Sequence, residues 1–435
     1  MRILKPQRNS LRGVLRMPGD KSIAHRALML GALTREGLRI RRIPDSEDVR
    51  ATLRCLRDLG VAVKKEAAGD WVVSGRGGSR PFAAASRALD CGGSATTMRL
   101  LAGLLAGHPF ETALIGDGSL SRRPMTRLAE PLAAMGAEIR LSAGGVSPME
   151  IRGRAPLRAL TYRLPVPSAQ VKSALLMAGL FSEGIVRISD PFGTRDHTER
   201  LLSWLSEGKA VRREGNAVCV GAAPLLGGAT LTIPGDFSSA AFHLGAAALL
   251  EGSEVVVAGV GLNPSRTGFL DALRSMGARV ELSDLTEEAG EMRGSVKVSY
   301  APLSSIRLRA EQIPSLIDEV PILAVVAARA RGESCFEGLG ELRLKESNRL
   351  EGIARGLRAM GAEIELRGDT LLIRGPVCLQ GASLQSLGDH RLAMALSVAA
   401  LAAEGESVLD HDACVAASYP DFFSDLETLL RRIEA

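Results

Sequence analysis

The chain has 435 residues, of which 46% are hydrophobic and 24% charged, and its formal net charge is +5. This length exceeds what one hydrophobic core normally holds, so the composition predicts a globular protein of two domains. Aromatic residues make up only 3%, and acidic and basic residues are interspersed without a basic tract. These features argue against a nucleic-acid-binding protein. Clustered arginines are better suited to small anionic substrates.

The cysteines and the N-terminus bear on the compartment. The six cysteines lie far apart and form no C-x-x-C pair, which predicts neither a zinc site nor a disulfide framework. The N-terminal MRILKPQRNSLRG lacks the apolar core of a signal peptide, and no apolar run reaches the length of a membrane span. The histidines show no metal-ligand spacing. We therefore expect a cytoplasmic protein without a bound metal.

The first chemically informative segment is MPGDKSIAHRALMLGAL, at residues 17–33. It predicts a helix that begins after a glycine-containing turn, with Lys21, Ser22 and Arg26 at its start. Free backbone N–H groups and the positive end of the helix dipole favour anions there. The segment therefore predicts a phosphate or carboxylate site, and the alternative is a capped surface helix with solvated charges.

Three further segments in the first half of the chain place polar residues at predicted turns or helix starts. CGGSATTMRLL at residues 91–101 and PSAQVKSALL at residues 167–176 each predict a capped helix start. GDGSLSRRPMTRL at residues 116–128 places Arg123 in a loop that ends at a proline. Each motif alone is weak evidence for an anion site, because serine and glycine cap helices routinely.

An apolar helical run, a glycine corner and an extended segment recur along the chain. Clear copies are LRDLGVAV, LAAMGAEIRL, LRSMGARVEL and LRAMGAEIEL, and LSWLSEGKAV is a degenerate one. Their spacing predicts repeated α/β units of about 70 residues, with each glycine as a left-handed helix cap. MPGDKSIAHRALMLGAL also resembles IPGDFSSAAFHLGAAAL at residues 233–249. The pattern predicts two related halves of three units each, unless the similarity of Ala/Leu-rich helices is coincidental.

The second half concentrates carboxylates and cations near apolar helices. PSLIDEVPILAVVAARA places Asp318 directly before such a helix, and GDHRLAMAL opens another with Arg391. LRLKESNRLEGI contains Lys345, Glu346 and Arg349, and its spacing predicts that the lysine and the arginine share one helical face. Such groups can transfer protons while the cations bind anions. Helix caps and structural ion pairs are the alternative for each segment.

Together these segments resemble the 3-phosphoshikimate 1-carboxyvinyltransferase family, the EPSP synthases, from Leu11 to the C-terminus. The strings that carry the resemblance are PGDKSIAHRALML, GDGSLSRRPM, PSAQVKSALL, TRDHTERLL, PGDFSSAAF, LIDEVPILAVVAA, LRLKESNRL, GDHRLAMAL and SYPDFF. The resemblance implies an α/β fold of two similar domains, each of three repeated α/β units, as an inside-out α/β barrel with a double crossover hinge. The implied N-terminal domain spans residues 17–234, and the C-terminal domain spans residues 1–16 and 235–435.

The resemblance also implies a reaction and a site. The family transfers the enolpyruvyl group of phosphoenolpyruvate to the 5-hydroxyl of shikimate 3-phosphate, and phosphate leaves through a tetrahedral intermediate without a cofactor. The implied residues for shikimate 3-phosphate are Lys21, Ser22, Arg26, Ser168, Ala169, Gln170, Arg195, Asp318 and Lys345. Those for phosphoenolpyruvate are Lys21, Ala95, Arg123, Gln170, Arg349 and Arg391.

The implied acid–base groups are Asp318, which would accept the proton of the attacking hydroxyl, and Glu346 and Lys21. These last two would protonate the methylene carbon and the leaving phosphate. Because the implied residues come from both halves, we expect the domains to close on substrate. The expected partners are the two small-molecule substrates, with no nucleic acid or membrane, and the expected state is a monomer.

Two departures from the family pattern are visible. Where the family commonly has G-N-[AS]-G-T, this chain has Gly92-Gly93-Ser94-Ala95-Thr96. The missing asparagine removes one implied hydrogen bond near phosphoenolpyruvate, and an alanine at residue 95 is associated in the family with weak inhibition by glyphosate. Near the C-terminus, Ala416 and Ala417 stand where some members carry a lysine.

Two alternative functions remain open from the sequence. The sister enzyme that transfers enolpyruvate to UDP-N-acetylglucosamine commonly has a cysteine in the loop before its R-P pair, and residues 118–124 contain none. A catalytically silent paralogue that binds phosphorylated ligands is the other alternative. The presence of Lys21, Asp318 and Glu346 argues against it.

Overall fold

The computed structural model describes residues 1–7, 9–67, 69–77, 81–222 and 226–430. The chain divides into two compact units. Unit A comprises Gly19–Pro234 and Glu287–Glu291, and unit B comprises Met1–Pro18, Gly235–Thr286 and Met292–Ala435. Within the described ranges, no helix is both long enough and apolar enough to cross a bilayer.

In the described residues each unit contributes six α-helices, numbered here in chain order. Those of unit A are α1 (Lys21–Gly31), α2 (Glu47–Asp58), α3 (Ala95–Ala106), α4 (Thr126–Ala134), α5 (Ala169–Gly179) and α6 (His197–Leu205). Those of unit B are α7 (Phe237–Leu249), α8 (Gly268–Ser275), α9 (Val320–Arg329), α10 (Arg349–Ala359), α11 (His390–Leu401) and α12 (Phe422–Leu430). The odd-numbered helices bury nearly every residue. Because a helix that is apolar all round must be enclosed, these helices form the core of each unit.

Unit A contains three four-stranded sheets in the part of the chain that the structure describes. In hydrogen-bonded order their strands are Ala229–Thr232, Leu38–Arg41, Trp71–Val73 and Val63–Lys65; Leu89–Asp90, Glu111–Ile115, Val146–Arg152 and Glu138–Ser142; and Thr161–Arg163, Val186–Ser189, Ala217–Val220 and Val211–Glu214. The first two strands of each sheet are parallel, and the other pairs are antiparallel. Parallel neighbours need a crossover, which α3 and α5 supply in the second and third sheets.

Unit B repeats this plan. In hydrogen-bonded order its strands are Arg12–Leu15, Glu254–Gly261, Glu291–Ser299 and Arg279–Glu288; Arg307–Leu308, Gly332–Phe336, Thr370–Gly375 and Glu363–Arg367; and Ser383–Leu384, Ser407–Leu409 and Arg2–Leu4. Each sheet again has one parallel pair, and α9 and α11 supply two of the crossovers. The helices are enclosed while strands such as Glu363–Arg367 alternate exposed and half-buried residues. The predicted fold class, with three α/β units in each half, is confirmed.

The two Pro-Gly-Asp turns lie where the chain passes from one unit to the other. The Asp20 amide donates to Pro234 O at 2.8 Å, and the Asp236 amide donates to Pro18 O at 2.8 Å. Each aspartate then caps a helix, since its Oδ1 accepts a hydrogen bond from the amide three residues ahead. The similarity between the two segments therefore reflects the same strand-to-helix junction in each unit.

The repeat glycines have the conformation that their position predicts. Gly60, Gly136, Gly277 and Gly361 follow the ends of α2, α4, α8 and α10, with φ of +80°, +102°, +99° and +87°. Only glycine adopts this left-handed region without steric cost, so each residue ends a helix and turns the chain into a strand.

The units differ from the predicted division in two places. The predicted division places Met17 with residues 17–234, but Met17 is 2% exposed in the core of unit B, because the strand before it belongs to that unit. The tip of a unit B hairpin, Glu287–Glu291, packs with unit A. There Ala289 joins the apolar core, and Glu291 Oε1 lies 2.7 Å from His197 Nδ1. Nothing in the local sequence of the hairpin predicts this packing.

Candidate active site

The structure places the predicted site residues in two groups, one in each unit. Unit A holds Lys21, Ser22, Arg26, Ala95, Arg123, Ser168, Ala169, Gln170 and Arg195. Unit B holds Asp318, Lys345, Glu346, Arg349 and Arg391. Among the described residues, no group of three or more His, Cys, Asp or Glu side chains is arranged to hold a metal ion.

Three buried helices of unit A begin at predicted anion sites. α1, α3 and α5 follow the caps Asp20, Ser94 and Ser168, whose side chains accept hydrogen bonds from the amides of Ile23, Thr97 and Val171. The predicted starts of these helices are confirmed, and their role as anion sites stays a prediction. Each cap engages one amide of the first turn, and the positive end of the helix dipole there favours an anion.

Lys21 is tethered at the start of α1. Its Nζ donates to Asp48 Oδ2 at 2.8 Å, and the two side chains are 19% and 21% exposed. Asp48 lies in the first turn of α2 and was not singled out from the sequence. Its only local signal is the acidic run at residues 45–48. The ion pair holds the ammonium group beside the predicted phosphate site.

Arg26 lies one turn further along α1 and is buried. Its Nε donates to Thr198 Oγ1 at 2.7 Å, and its Nη2 donates to Ser173 Oγ at 2.8 Å. A third bond, from Nη1 to Ser22 O at 2.8 Å, closes the first turn of the helix. Burial lowers the pKa of the Arg26 guanidinium to about 10, against the opposing charge of the Glu199 carboxylate.

Gln170, at the start of α5, is fixed by α3. Its Nε2 donates to Thr96 Oγ1 at 2.9 Å, and its Oε1 accepts from Arg99 Nη1 at 2.5 Å. Arg99 also donates to Pro124 O at 3.0 Å, and this proline directly follows Arg123. Arg99 thus connects Gln170 with the residue that follows Arg123. Sequence reasoning missed it because it reads as an ordinary helix cation.

The glycine turn before α3 has a defined shape. Gly92 has φ of +53°, and its amide donates to Asp90 Oδ1 at 2.8 Å. A Cβ built on Gly93 would lie 3.0 Å from an oxygen of Asp117, so a side chain larger than glycine would require this aspartate to move. Ala95 is 4% exposed, and it follows directly as the first residue of the helix.

In unit B, cations surround Asp318. Its Oδ1 lies 3.2 Å from Arg349 Nη1 and 3.5 Å from Lys345 Nζ. Arg391 donates from Nη1 to the Asp318 carbonyl oxygen at 3.2 Å. Asp318 lies in a short 3-10 turn that leads into α9, as its sequence position predicts. The carboxylate is 9% exposed and therefore keeps limited access to a ligand.

Arg349 is fully buried and makes three carboxylate contacts. Its Nε donates to Asp389 Oδ2 at 2.8 Å, and its other nitrogens contact Asp318 and Glu346. Burial disfavours the charged guanidinium, but these carboxylates outweigh it and raise the pKa of Arg349 above its usual value. Glu346 is the most exposed of the three, at 31%.

The predicted shared helical face of Lys345 and Arg349 is wrong. Lys345 is extended, with φ of −82° and ψ of −159°, and it ends a 3-10 turn at Gly340–Leu344. α10 begins only at Arg349, because the Asn348 side chain accepts from the Glu351 amide and caps the helix there. Both cations nevertheless reach the same Asp318 oxygen.

Sequence reasoning also missed Arg266, a buried cation next to Asp318. Arg266 is 3% exposed, and its Nη1 lies 3.7 Å from Asp318 Oδ2. Its Nη2 donates to Ser238 Oγ at 2.5 Å, and Ser238 donates to the fully buried Glu319. Arg266 comes from the NPSRTG turn before α8. That turn signal was visible, but its contact with Asp318 is tertiary.

Comparison with known proteins identifies the family. Residues 5–426 match the sequence model of EPSP synthase (3-phosphoshikimate 1-carboxyvinyltransferase). The chain belongs to the EPSP synthase family. It is 45% identical over 412 residues to the 3-phosphoshikimate 1-carboxyvinyltransferase of Acidithiobacillus ferrooxidans, covering 95% of this chain and 94% of that protein.

Solved structures agree with the EPSP synthase assignment. The EPSP synthase from Acinetobacter baumannii has a TM-score of 0.86 and 37% identity, with 98% of this chain and 97% of that chain covered. The enolpyruvyl transferase NikO from Streptomyces tendae has a TM-score of 0.78 at 19% identity, covering 98% and 96%. At that identity, the likeness to NikO shows a shared fold alone.

Proposed function

We propose that the chain transfers the enolpyruvyl group of phosphoenolpyruvate to the 5-hydroxyl of shikimate 3-phosphate and releases phosphate. It is an enzyme of the transferase class. The observation that carries this proposal is the Asp318 carboxylate in contact with Lys345 and Arg349, within a chain that matches the EPSP synthase family over nearly its full length. A proton acceptor beside cations is what attack by a hydroxyl group on an anionic substrate requires.

The residues of unit A bind shikimate 3-phosphate in this proposal. The α1 start provides Lys21, Ser22 and Arg26, and the α5 start provides Ser168, Ala169 and Gln170. Arg195, together with Asp318 and Lys345 of unit B, completes the set. Helix amides and arginines suit a phosphate, because they offer several donors in fixed directions.

Phosphoenolpyruvate contacts Lys21, Ala95, Arg123, Gln170, Arg349 and Arg391. The bond of Arg391 to the Asp318 carbonyl oxygen supports this assignment, since it fixes a cation beside the proton acceptor. Arg349 also holds Asp318, since its Nη1 lies 3.2 Å from Asp318 Oδ1.

The reaction proceeds by addition and elimination. The oxygen of the 5-hydroxyl attacks C2 of phosphoenolpyruvate as Asp318 accepts the proton of this hydroxyl. Glu346 or Lys21 protonates the methylene carbon. The group that donated this proton then takes a proton back from the resulting methyl group, which restores the double bond, and the other of these two groups protonates the leaving phosphate. Cations fixed before the reaction stabilise the charge that develops, typically by a few kcal/mol each.

One assay tests the activity. Phosphate release is measured with phosphoenolpyruvate plus either shikimate 3-phosphate or UDP-N-acetylglucosamine. We expect turnover only with shikimate 3-phosphate. Turnover with the sugar nucleotide would assign the chain to the other reaction, and no turnover with either acceptor would indicate a ligand-binding paralogue.

Asp318→Asn tests the proton acceptor, because an amide keeps the size but cannot take the proton. We expect kcat to fall by about 10²–10⁴-fold, with a much smaller loss of affinity for shikimate 3-phosphate. Glu333→Gln is the control, because Glu333 pairs only at the surface with Arg374. An Asp318→Asn enzyme with wild-type kcat would remove Asp318 from the mechanism.

We also propose weak inhibition by glyphosate, because Ala95 puts a methyl group at the start of α3 where the family commonly has glycine. Ala95→Gly should lower the glyphosate inhibition constant and the KM for phosphoenolpyruvate together. A wild-type inhibition constant below micromolar would contradict this proposal.

The enzyme is further proposed to be a cytoplasmic monomer. All six cysteines are free thiols, in keeping with a reducing compartment. Sedimentation velocity with and without both substrates tests the monomer, and cell fractionation tests the compartment.

A further inference from the structure

A buried lysine, Lys172, lies between the segments of unit A that carry the proposed shikimate 3-phosphate residues. It belongs to α5, one helical turn after Ser168 and two residues after Gln170. Its side chain is 3% exposed. A lysine at this depth persists only when its charge is fully compensated.

The first contact of Lys172 fixes the turn before Arg195. Its Nζ donates to Asp190 Oδ2 and to the Thr194 carbonyl oxygen, at 2.9 Å each. Asp190 Oδ2 also accepts from the amide and the hydroxyl of Thr194, at 2.9 and 2.7 Å. Thr194 is thus held through its amide, hydroxyl and carbonyl groups, and the next residue is Arg195.

The second contact fixes Arg26. Lys172 Nζ lies 2.8 Å from Glu199 Oε1 on α6, and this carboxylate is the largest opposing charge near the Arg26 guanidinium. The neighbours of this pair are also joined, since Thr198 donates to Ser173 Oγ at 2.8 Å and both hydroxyls accept from Arg26. Two adjacent polar contacts therefore tie α5 to α6 beneath Arg26.

Two groups of the proposed phosphate site consequently depend on one cation. Asp190 and Glu199 would otherwise be two buried carboxylates with side chains 6% and 1% exposed. Lys172 directs its Nζ at Asp190, the Thr194 carbonyl oxygen and Glu199, and we assign it no contact with a substrate. Its effect on catalysis must pass through the backbone of Arg195 and the guanidinium of Arg26.

We propose that Lys172 is a positioning residue for shikimate 3-phosphate, which it serves by fixing Arg195 through Thr194 and Arg26 through Glu199. The inference rests on the proposed function, because it takes the substrate of this half-site from there. Removing the Lys172 charge weakens the binding of shikimate 3-phosphate selectively. The KM for phosphoenolpyruvate, measured at saturating shikimate 3-phosphate, stays nearly unchanged.

The test compares Lys172→Met, Lys172→Arg and Asp190→Asn with the wild type. Met149→Ala is the control, because Met149 is fully buried in the apolar core of unit A, in another sheet. KM values for both substrates, kcat, the thermal midpoint and direct binding of shikimate 3-phosphate by calorimetry are measured for each variant.

We expect the KM and Kd for shikimate 3-phosphate to rise about tenfold or more in Lys172→Met, with the KM for phosphoenolpyruvate within about twofold. Lys172→Arg should recover part of the loss, because it restores the charge. Asp190→Asn should raise the KM for shikimate 3-phosphate by a smaller factor, again with little change in the KM for phosphoenolpyruvate. This variant provides the test if Lys172→Met does not fold.

Two results would overturn the inference. The first is an unchanged Kd for shikimate 3-phosphate in the folded variants. The second is a rise of both KM values together, equal to the rise in Met149→Ala when the two variants lose the same amount in thermal midpoint. That result would make Lys172 purely structural. The proposed function fails separately, if the wild type itself does not convert the two substrates.

Discussion

Arg349 and Asp389 form a buried ion pair in unit B. Both side chains are fully buried, and Arg349 Nε donates to Asp389 Oδ2 at 2.8 Å. The other Asp389 oxygen accepts from the Arg391 amide and caps α11. The informative substitution is Asp389→Asn, because asparagine removes the charge but remains a good helix cap.

The magnitude follows from what stays in place. Complete loss of the partners of a buried ion costs about 3–5 kcal/mol. Arg349 keeps Asp318 and Glu346, so the loss is closer to that of one hydrogen bond to a charged group, about 1.5–3 kcal/mol. Asp389→Ala loses the cap as well, which adds about 1 kcal/mol.

Urea unfolding of the wild type, Asp389→Asn and Asp389→Ala measures these free energies, and Glu365→Gln, in an exposed pair with Arg367, is the control. We expect stability in the order wild type, asparagine, alanine, with the control at the wild-type value. The KM for phosphoenolpyruvate should rise in the same order, because Arg349 and Arg391 both contact Asp389. An asparagine variant as stable as the wild type would refute the reasoning.

Three further predictions concern other parts of the chain. Arg266→Met should lower kcat by about tenfold to a hundredfold with a smaller change in KM, because Asp318 loses a neighbouring cation. Arg266→Lys should recover part of the lost kcat. Unchanged steady-state kinetics in Arg266→Met would exclude a role of Arg266 in positioning Asp318. Burial lowers the pKa of His243 to about 3, whereas an unfolded histidine has a pKa near 6.5, so the unfolded state binds more protons between these values. The free energy of unfolding should therefore fall as the pH drops below 6.5, by about 2 kcal/mol at pH 5. Urea unfolding at a series of pH values measures this fall. The pH dependence should be flatter in His243→Asn, but not in the control His411→Asn, since His411 is exposed. Gly103→Ala should destabilise the protein by about 1–3 kcal/mol in thermal or urea unfolding, because its Cβ would lie 2.2 Å from a backbone oxygen of α5; equal stability would show that the two helices separate without cost.

The features predicted correctly from the sequence are those that local chemistry determines. The starts of α1, α3, α5 and α11 are each marked by a capping side chain whose bond reaches only two or three residues ahead. Repeat glycines such as Gly136 are similarly local, because a helix end demands a left-handed residue. Such signals lie within one turn of chain, so a single sequence contains them.

The Lys345 segment shows where local pattern fails. Residues four apart share a face only if the helix is continuous, and Asn348 interrupts it by capping α10. The asparagine is visible in the sequence, but the apolar residues on both sides fit a helix equally well. The structure has a 3-10 turn at Gly340–Leu344 before α10, and the carboxylates that bond Arg349 include Asp318 and Asp389 from distant parts of the chain.

Three cations missed by sequence reasoning share one physical property. Lys172, Arg266 and Arg99 each lie on or beside a helix, where a cation normally indicates a solvated surface. Each instead bonds to groups distant in the chain, such as Ser238 for Arg266, 28 residues away. A buried cation is stable only where the fold supplies carboxylates or carbonyl oxygens, so its role follows from the packing of repeats rather than from its neighbours in sequence. The sequence therefore predicts the groups proposed to contact the substrates better than the groups that hold them in place.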